Sequence, residues 1–115
     1  MSKNYPETVA HLTQLMREMH KGIPQTMAGF VQLADKAKAT GVLDAKTKEL
    51  IAVAISIAQR CDGCIGFHTR GAVKLGASRE EMMETIGVAV MMGGGPSTVY
   101  GAYALEAFDQ FNAAK

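Results

Sequence analysis

The sequence predicts an all-α domain of about six helices, and three observations carry that expectation. Apolar residues recur at three- and four-residue spacing along most of the chain. Alternating β-branched runs and Asn-Gly hairpin signals are absent. Caps and breakers fall between the periodic segments, where helices should start and stop.

The elements follow in order. Pro6 fits the first turn of a helix running to about His20, with Val9, Leu12, Met16 and Met19 as its apolar stripe. "KGIP" breaks it. A second helix places Met27, Phe30, Val31 and Ala34 inward and ends near Gly41. In "LDAKTKELIAVAISIAQR", Asp44 is the N-cap of a third helix. From Leu50 to Ala58 this helix is apolar almost all round, the mark of a central buried element. The stretch "RCDGCIGFHTR" opens a fourth helix that runs to Leu75 and stops at Gly76. In "ASREEMMETIGVAVMM", Ser78 and Glu81 have the spacing of a capping box for a fifth. "GGGPS" ends it, since glycine tolerates positive φ. Pro96 then occupies the first turn of a last helix, Ser97 to about Ala113, carrying Val99, Tyr103, Ala107 and Phe108. The glycine run lacks the Gly-Lys-Ser/Thr ending of a phosphate loop and reads as a helix connection.

A length of 115 residues is one domain, residues 1–115. Apolar residues make up 48% of it, more than so short a chain buries alone, so a homo-oligomer is expected. The net charge of +1, with acids and bases interspersed, leaves no electrostatic footprint for nucleic acid or an anionic membrane. Lys46 and Lys48 read as solvated charges at a helix start. The eight methionines, Met82, Met83, Met91 and Met92 among them, read as core and interface filler. The opening "MSKNYPETVA" has no signal-peptide character, and the longest apolar run, Leu50–Ala58, is about half a membrane span. The expectation is a soluble, cytoplasmic protein with neither nucleic-acid nor membrane partners. In a reducing compartment, two close cysteines point to catalysis, redox sensing or metal binding rather than a static staple.

Cys61, Cys64 and His68 lie at i, i+3 and i+7, one stripe of a helix. Both cysteines sit at the helix start, where unpaired N–H groups and the helix dipole favour a thiolate. His68 can accept a thiol proton, and a Cys-x-x-Cys pair can close a short disulfide. Glu49 cannot reach Cys61 along one continuous helix, because twelve residues span roughly 18 Å. If helices three and four form an antiparallel hairpin turning near Gln59–Arg60, Glu49 and His68 face each other. Glu49, His68 and Cys64 then form a possible proton path, directly or through one water. Other readings stay open. Two cysteines can be small core hydrophobes. A structural zinc site needs four ligands, and only Cys61, Cys64 and His68 are near in sequence, His11 and His20 reading as surface residues of the first helix. Glu49 alone would be an ordinary first-turn acid. No metal and no cofactor is expected.

The run "TKELIAVAISIAQRCDGCIGFHTRGAVKLGASREE" resembles the alkyl hydroperoxidase D-like, carboxymuconolactone decarboxylase-like family. The matching signature is a glutamate, then Cys-x-x-Cys twelve residues on, then three residues and a histidine: Glu49, Cys61, Cys64, His68. The similarity covers roughly residues 20–112. It implies an all-helical fold assembled as trimers or hexamers, the hexamer favoured, with the dithiol near subunit contacts. It implies thiol-dependent reduction of hydroperoxides, in which Cys64 attacks the peroxide and Cys61 closes the disulfide. A dithiol or lipoyl-type donor would then reduce that disulfide. His68 and Glu49 match the proton-relay positions. The helix start would equally permit Cys61 as the attacking thiol. One position departs from the family: Gly63 stands where well-studied peroxidases carry a histidine, and Asp62 precedes it, which should make the thiolate harder to form. Two alternatives differ in class. One is a non-catalytic redox-responsive or metal-binding protein of the same fold. The other is a carboxymuconolactone-type decarboxylase, for which no arginine cluster is visible, Arg60 and Arg70 reading as solvated ends.

Overall fold

The computed structural model describes residues 2–115, and among them the regular structure is six α-helices: α1 (Tyr5–Gly22), α2 (Pro24–Lys38), α3 (Ala45–Ala58), α4 (Asp62–Lys74), α5 (Arg79–Gly93) and α6 (Gly95–Ala113). The anticipated all-α class and helix order hold. Boundaries differ by a few residues at α1, α2 and α6. Lys21 and Gly22 extend α1, so Ile23 alone separates it from α2. α2 stops at Lys38, before Gly41. α6 begins at Gly95 because Gly94, at φ 69°, turns the chain directly out of α5.

Local chemistry sets the remaining ends. The Asp44 carboxylate accepts from the Thr47 N–H at 2.7 Å and caps α3. Ser78 and Glu81 form the reciprocal capping box of α5, at 3.0 and 2.8 Å. α3 ends in a Schellman turn, with Cys61 N–H bonded to the Ser56 carbonyl and Arg60 N–H to that of Ile57, both at 3.1 Å. Arg60 sits in the left-handed position of this turn, at φ 56°. α4 ends the same way, with Gly76 at φ 84° in that position.

The turn at Gln59–Cys61 folds α3 and α4 into an antiparallel hairpin, against which α5 and α6 pack as a second one. The core lies between them. Val53 and Ile57 of α3, Ile65 and Val73 of α4, Met82 of α5, and Ala104 and Phe108 of α6 are buried, joined by Tyr5 and Val9 from α1.

α1 and α2 depart from expectation in what they bury. Val9 is buried and Leu12 half-buried, but Met16 and Met19 are exposed as α1 runs off the body. α2 has no fully buried residue: Met27 and Ala34 are half-buried, and Phe30 and Val31 are exposed rather than inward. Its apolar face is real, but this chain supplies little surface to cover it. α3 is central but not buried all round, since Ile51 and Ile55 are exposed beside α2. Val99 of α6 is likewise exposed. Lys46 and Lys48 are half-buried rather than freely solvated. Lys46 Nζ pairs with Glu81 at 3.0 Å, and Lys48 Nζ donates to the Ala39 carbonyl at 2.6 Å. Among the described residues, no helix is long and apolar enough to cross a membrane.

Candidate active site

The α3–α4 hairpin brings the four residues of the sequence motif to one region. Glu49, in the second turn of α3, is buried. Its Oε2 lies 2.9 Å from Nδ1 of His68, nineteen residues away on α4, so no water is needed between them. The carboxylate fits because α4 presents Gly71 there. A Cβ on Gly71 would stand 2.8 Å from both Cδ and Oε2 of Glu49. The histidine side chain is about one-third exposed and the carboxylate nearly sealed, so the pair points outward through the imidazole.

Cys61 and Cys64 form a disulfide, with Cα atoms 5.2 Å apart. Cys61 is the N-cap of α4, and its sulfur accepts from the Cys64 N–H at 3.3 Å. The sulfurs therefore sit in the field of a helix N-terminus, which stabilises negative charge. Cys64 precedes His68 by four residues, one helical turn.

Both cysteines and His68 line a groove of about 850 Å³ between α2 and the α3–α4 hairpin. Leu12, Met16, Phe30, Leu33, Ile51 and Ile55 make its walls apolar, and Lys38 and Lys48 carry its cationic charge. Such a surface would favour the apolar part of an organic ligand over water, with the cysteines and His68 in its lining. His11 and His20 are exposed on α1 and do not line this groove. Among the described residues, no three His, Cys, Asp or Glu side chains gather closely enough to hold a metal ion.

The two residues between the cysteines have contacts that the sequence does not reveal. Asp62 is not a free carboxylate. Its Oδ2 accepts from Lys3 Nζ at 2.6 Å and its Oδ1 from the Tyr5 hydroxyl at 2.9 Å. Lys3 also lies 3.9 Å from the centroid of the Tyr103 ring. The hydrogen bond to Asp62 holds the Lys3 ammonium above the ordinary lysine range. Burial first, then its bond to Asp62, pushes the Tyr5 phenol above its usual value, so it remains a donor. The segment carrying both is fastened to α6: Lys3 N–H donates to Glu106 at 3.1 Å, Tyr5 N–H donates to Gln110 at 2.8 Å, and the Gln110 amide donates back to the Lys3 carbonyl. Gly63 is the contact with α1, since a Cβ there would stand 2.7 Å from Leu12 Cδ1. An imidazole at this position would meet α1.

Sequence reasoning missed Lys3, Tyr5, Gly71 and Leu12 as neighbours of the site. Gly71 had a readable signal, an isolated glycine inside a helical pattern, which calls for a packing reason. Lys3 and Tyr5 had none, because each is more than fifty residues from Asp62.

Known proteins bear out this architecture. The chain is 50% identical to a solved carboxymuconolactone decarboxylase family protein of Legionella pneumophila, which superposes with a TM-score of 0.92 over 94% of this chain and 96% of that one. A Thermotoga maritima protein, 29% identical, superposes with a TM-score of 0.77 over 88% and 89% of the two chains; its description raises a role in antioxidative response. An uncharacterized protein of Cupriavidus necator is 38% identical over 105 residues, 89% of this chain and 93% of its own. A family model for carboxymuconolactone decarboxylases matches residues 24–107. On the strength of that match, of the shared helical architecture and of the Cys-x-x-Cys on its central hairpin, the chain belongs to the carboxymuconolactone decarboxylase family.

Proposed function

We propose that this protein is a thiol-dependent peroxidase, a disulfide oxidoreductase that reduces hydroperoxides through Cys61 and Cys64. The observation that carries the reading is the buried Glu49 carboxylate bonded to His68 Nδ1, one helical turn from Cys64 in a cysteine pair close enough to be joined. A structural disulfide would need neither the acid nor the imidazole. The antioxidative role raised for the Thermotoga maritima relative supports the same direction.

In the reduced protein, Cys64 at the α4 N-terminus is the attacking thiolate. It attacks one oxygen of a hydroperoxide and the O–O bond breaks. The alcohol leaves with a proton passed by His68, and the sulfur becomes a sulfenic acid. Glu49 orients the imidazole and supports its charged form. Cys61 then attacks the sulfenic sulfur, the S–S bond forms, and water leaves. A dithiol or lipoyl-type donor returns two electrons and two protons and is itself oxidised to a disulfide. The apolar groove favours organic hydroperoxides. The protein works in the cytoplasm as a homo-oligomer, a hexamer in preference to a trimer, which would cover exposed apolar residues such as Phe30, Leu33 and Met91.

The test is peroxide consumption with a dithiol reductant by wild type, Cys64→Ser, Cys61→Ser and Glu49→Gln. Loss of turnover in both cysteine variants and a drop of about tenfold to a hundredfold in Glu49→Gln are expected. Cysteine variants as active as wild type would end this reading. Turnover of a lactone acid by wild type and both cysteine variants alike would favour decarboxylation instead.

A further inference from the structure

A carboxylate between the two cysteines is an unfavourable companion for a thiolate. Side-chain ends on neighbouring residues lie roughly 8 Å apart. A full charge at that distance, through a partly hydrated medium, raises a thiol pKa by about half a unit. Asp62 holds that position, and it is not left as a bare charge. Lys3 Nζ lies 2.6 Å from it, and the Tyr5 hydroxyl bonds its other oxygen at 2.9 Å. The cation is itself held from three sides. Its backbone is bonded to Glu106 and Gln110 of α6, and its ammonium lies 3.9 Å from the Tyr103 ring centroid and 5.8 Å from that of Tyr100. So much fixing is more than a surface ion pair needs for stability, since exposed pairs contribute little.

We infer that Lys3 is the counter-charge of Asp62, and that residues 3–5 belong to the dithiol centre as a positioning and charge-masking element that keeps the reduced Cys61 and Cys64 thiols acidic. The inference deepens the peroxidase reading but needs only that the disulfide can be reduced. Other charged or titratable groups around the cysteine pair and Asp62 are Tyr5 of α1, Glu49 of α3, Arg60 of the turn, His68 of α4, and Tyr100, Tyr103 and Glu106 of α6, while Lys38 of α2 and Lys48 of α3 line the same groove as the cysteines. None of these changes in the variants below.

The experiment is a pH titration of the reduced protein, read as ultraviolet thiolate absorbance and as alkylation rate, with circular dichroism to confirm folding. Lys3→Met should raise the lower thiol pKa by about half a unit and slow alkylation roughly threefold below that pKa. Asp62→Asn should lower it by a similar amount. Lys3→Arg should resemble wild type, and the Lys3→Met/Asp62→Asn double variant should return close to it. Both single shifts should shrink at high ionic strength. The opposite signs are decisive, because both single substitutions break the same bond. If the pair only pinned the helix start, both would move the pKa the same way, and that result, or no shift in either, would overturn the inference. Peroxide turnover is scored separately. Opposite shifts in a protein that consumes no peroxide would leave the masking role standing and remove the peroxidase reading. Normal turnover without shifts would do the reverse.

Discussion

Replacing Gly71 by alanine tests whether the Glu49–His68 pair depends on a missing side chain. In an exposed helix interior, Gly→Ala stabilises by about 1 kcal/mol through backbone entropy. Here the new Cβ would stand 2.8 Å from Cδ and Oε2 of Glu49 and 3.2 Å from Oε1. The carboxylate must withdraw, and its 2.9 Å bond to His68 is the contact it gives up. A hydrogen bond to a charged group is worth about 1.5–3 kcal/mol, so the net effect is a loss of about 0.5–2 kcal/mol. For a domain of this size that lowers Tm by roughly 2–8 °C at fixed protein concentration. The decisive comparison is the same substitution in a Glu49→Ala background. With the carboxylate gone, Gly71→Ala should raise Tm by about 4 °C, recovering the helix gain alone. Thermal unfolding of the four proteins closes this cycle. If Gly71→Ala stabilises equally in both backgrounds, the close packing of Glu49 against α4 is not what holds the pair together.

Four further outcomes follow from the geometry. Arg60→Gly should stabilise by about 0.5–1 kcal/mol in denaturant unfolding, because a left-handed residue costs about 1–2 kcal/mol that glycine avoids, less glycine's own entropy cost. Ser78→Ala should cost about 1 kcal/mol by removing one half of the α5 capping box, again read from unfolding midpoints. The other half makes stability pH-dependent. The Ser78 backbone N–H, then Lys46, hold the Glu81 carboxyl below its ordinary 4.5, so its contribution is complete above that pH and fades as the solution is acidified through the folded-state pKa. Glu81→Gln should therefore flatten the acid limb of a Tm–pH profile, and an unaltered limb would contradict the assignment. If the proposed homo-oligomer packs through α2, Phe30→Ser/Leu33→Ser should lower the mass found by light scattering, since both side chains are exposed on a helix with no fully buried residue; an unchanged mass would refute a subunit contact there.

The reach of the sequence differed between contacts within a helix pair and contacts across the chain. The hairpin pairing of Glu49 with His68 could be read because helical rise and one turn position fix the facing residues. The caps of α3 and α5 were legible for the same reason, each being a contact between residues three apart. The partners of Asp62 were hidden, because which helix N-terminus receives residues 3–5 is decided by tertiary packing. α2 shows a different limit. Periodicity located an apolar face on Phe30 and Val31, but a pattern says only that a face must be covered, and this chain leaves both exposed.

The fastening of Lys3 to Gln110 also has a bearing on the order of folding. Those residues are 107 apart in sequence, against nineteen for Glu49 and His68. In an unstructured chain, closing the longer loop costs about 1.5 kcal/mol more, so local hairpins should form first and residues 3–5 should dock late. A newly made chain would then pass through a stage with α3 and α4 paired and residues 3–5 still undocked. At that stage the cysteines would share their helix start with an unneutralised carboxylate, and they would gain full reactivity only once the two far ends of the fold had met.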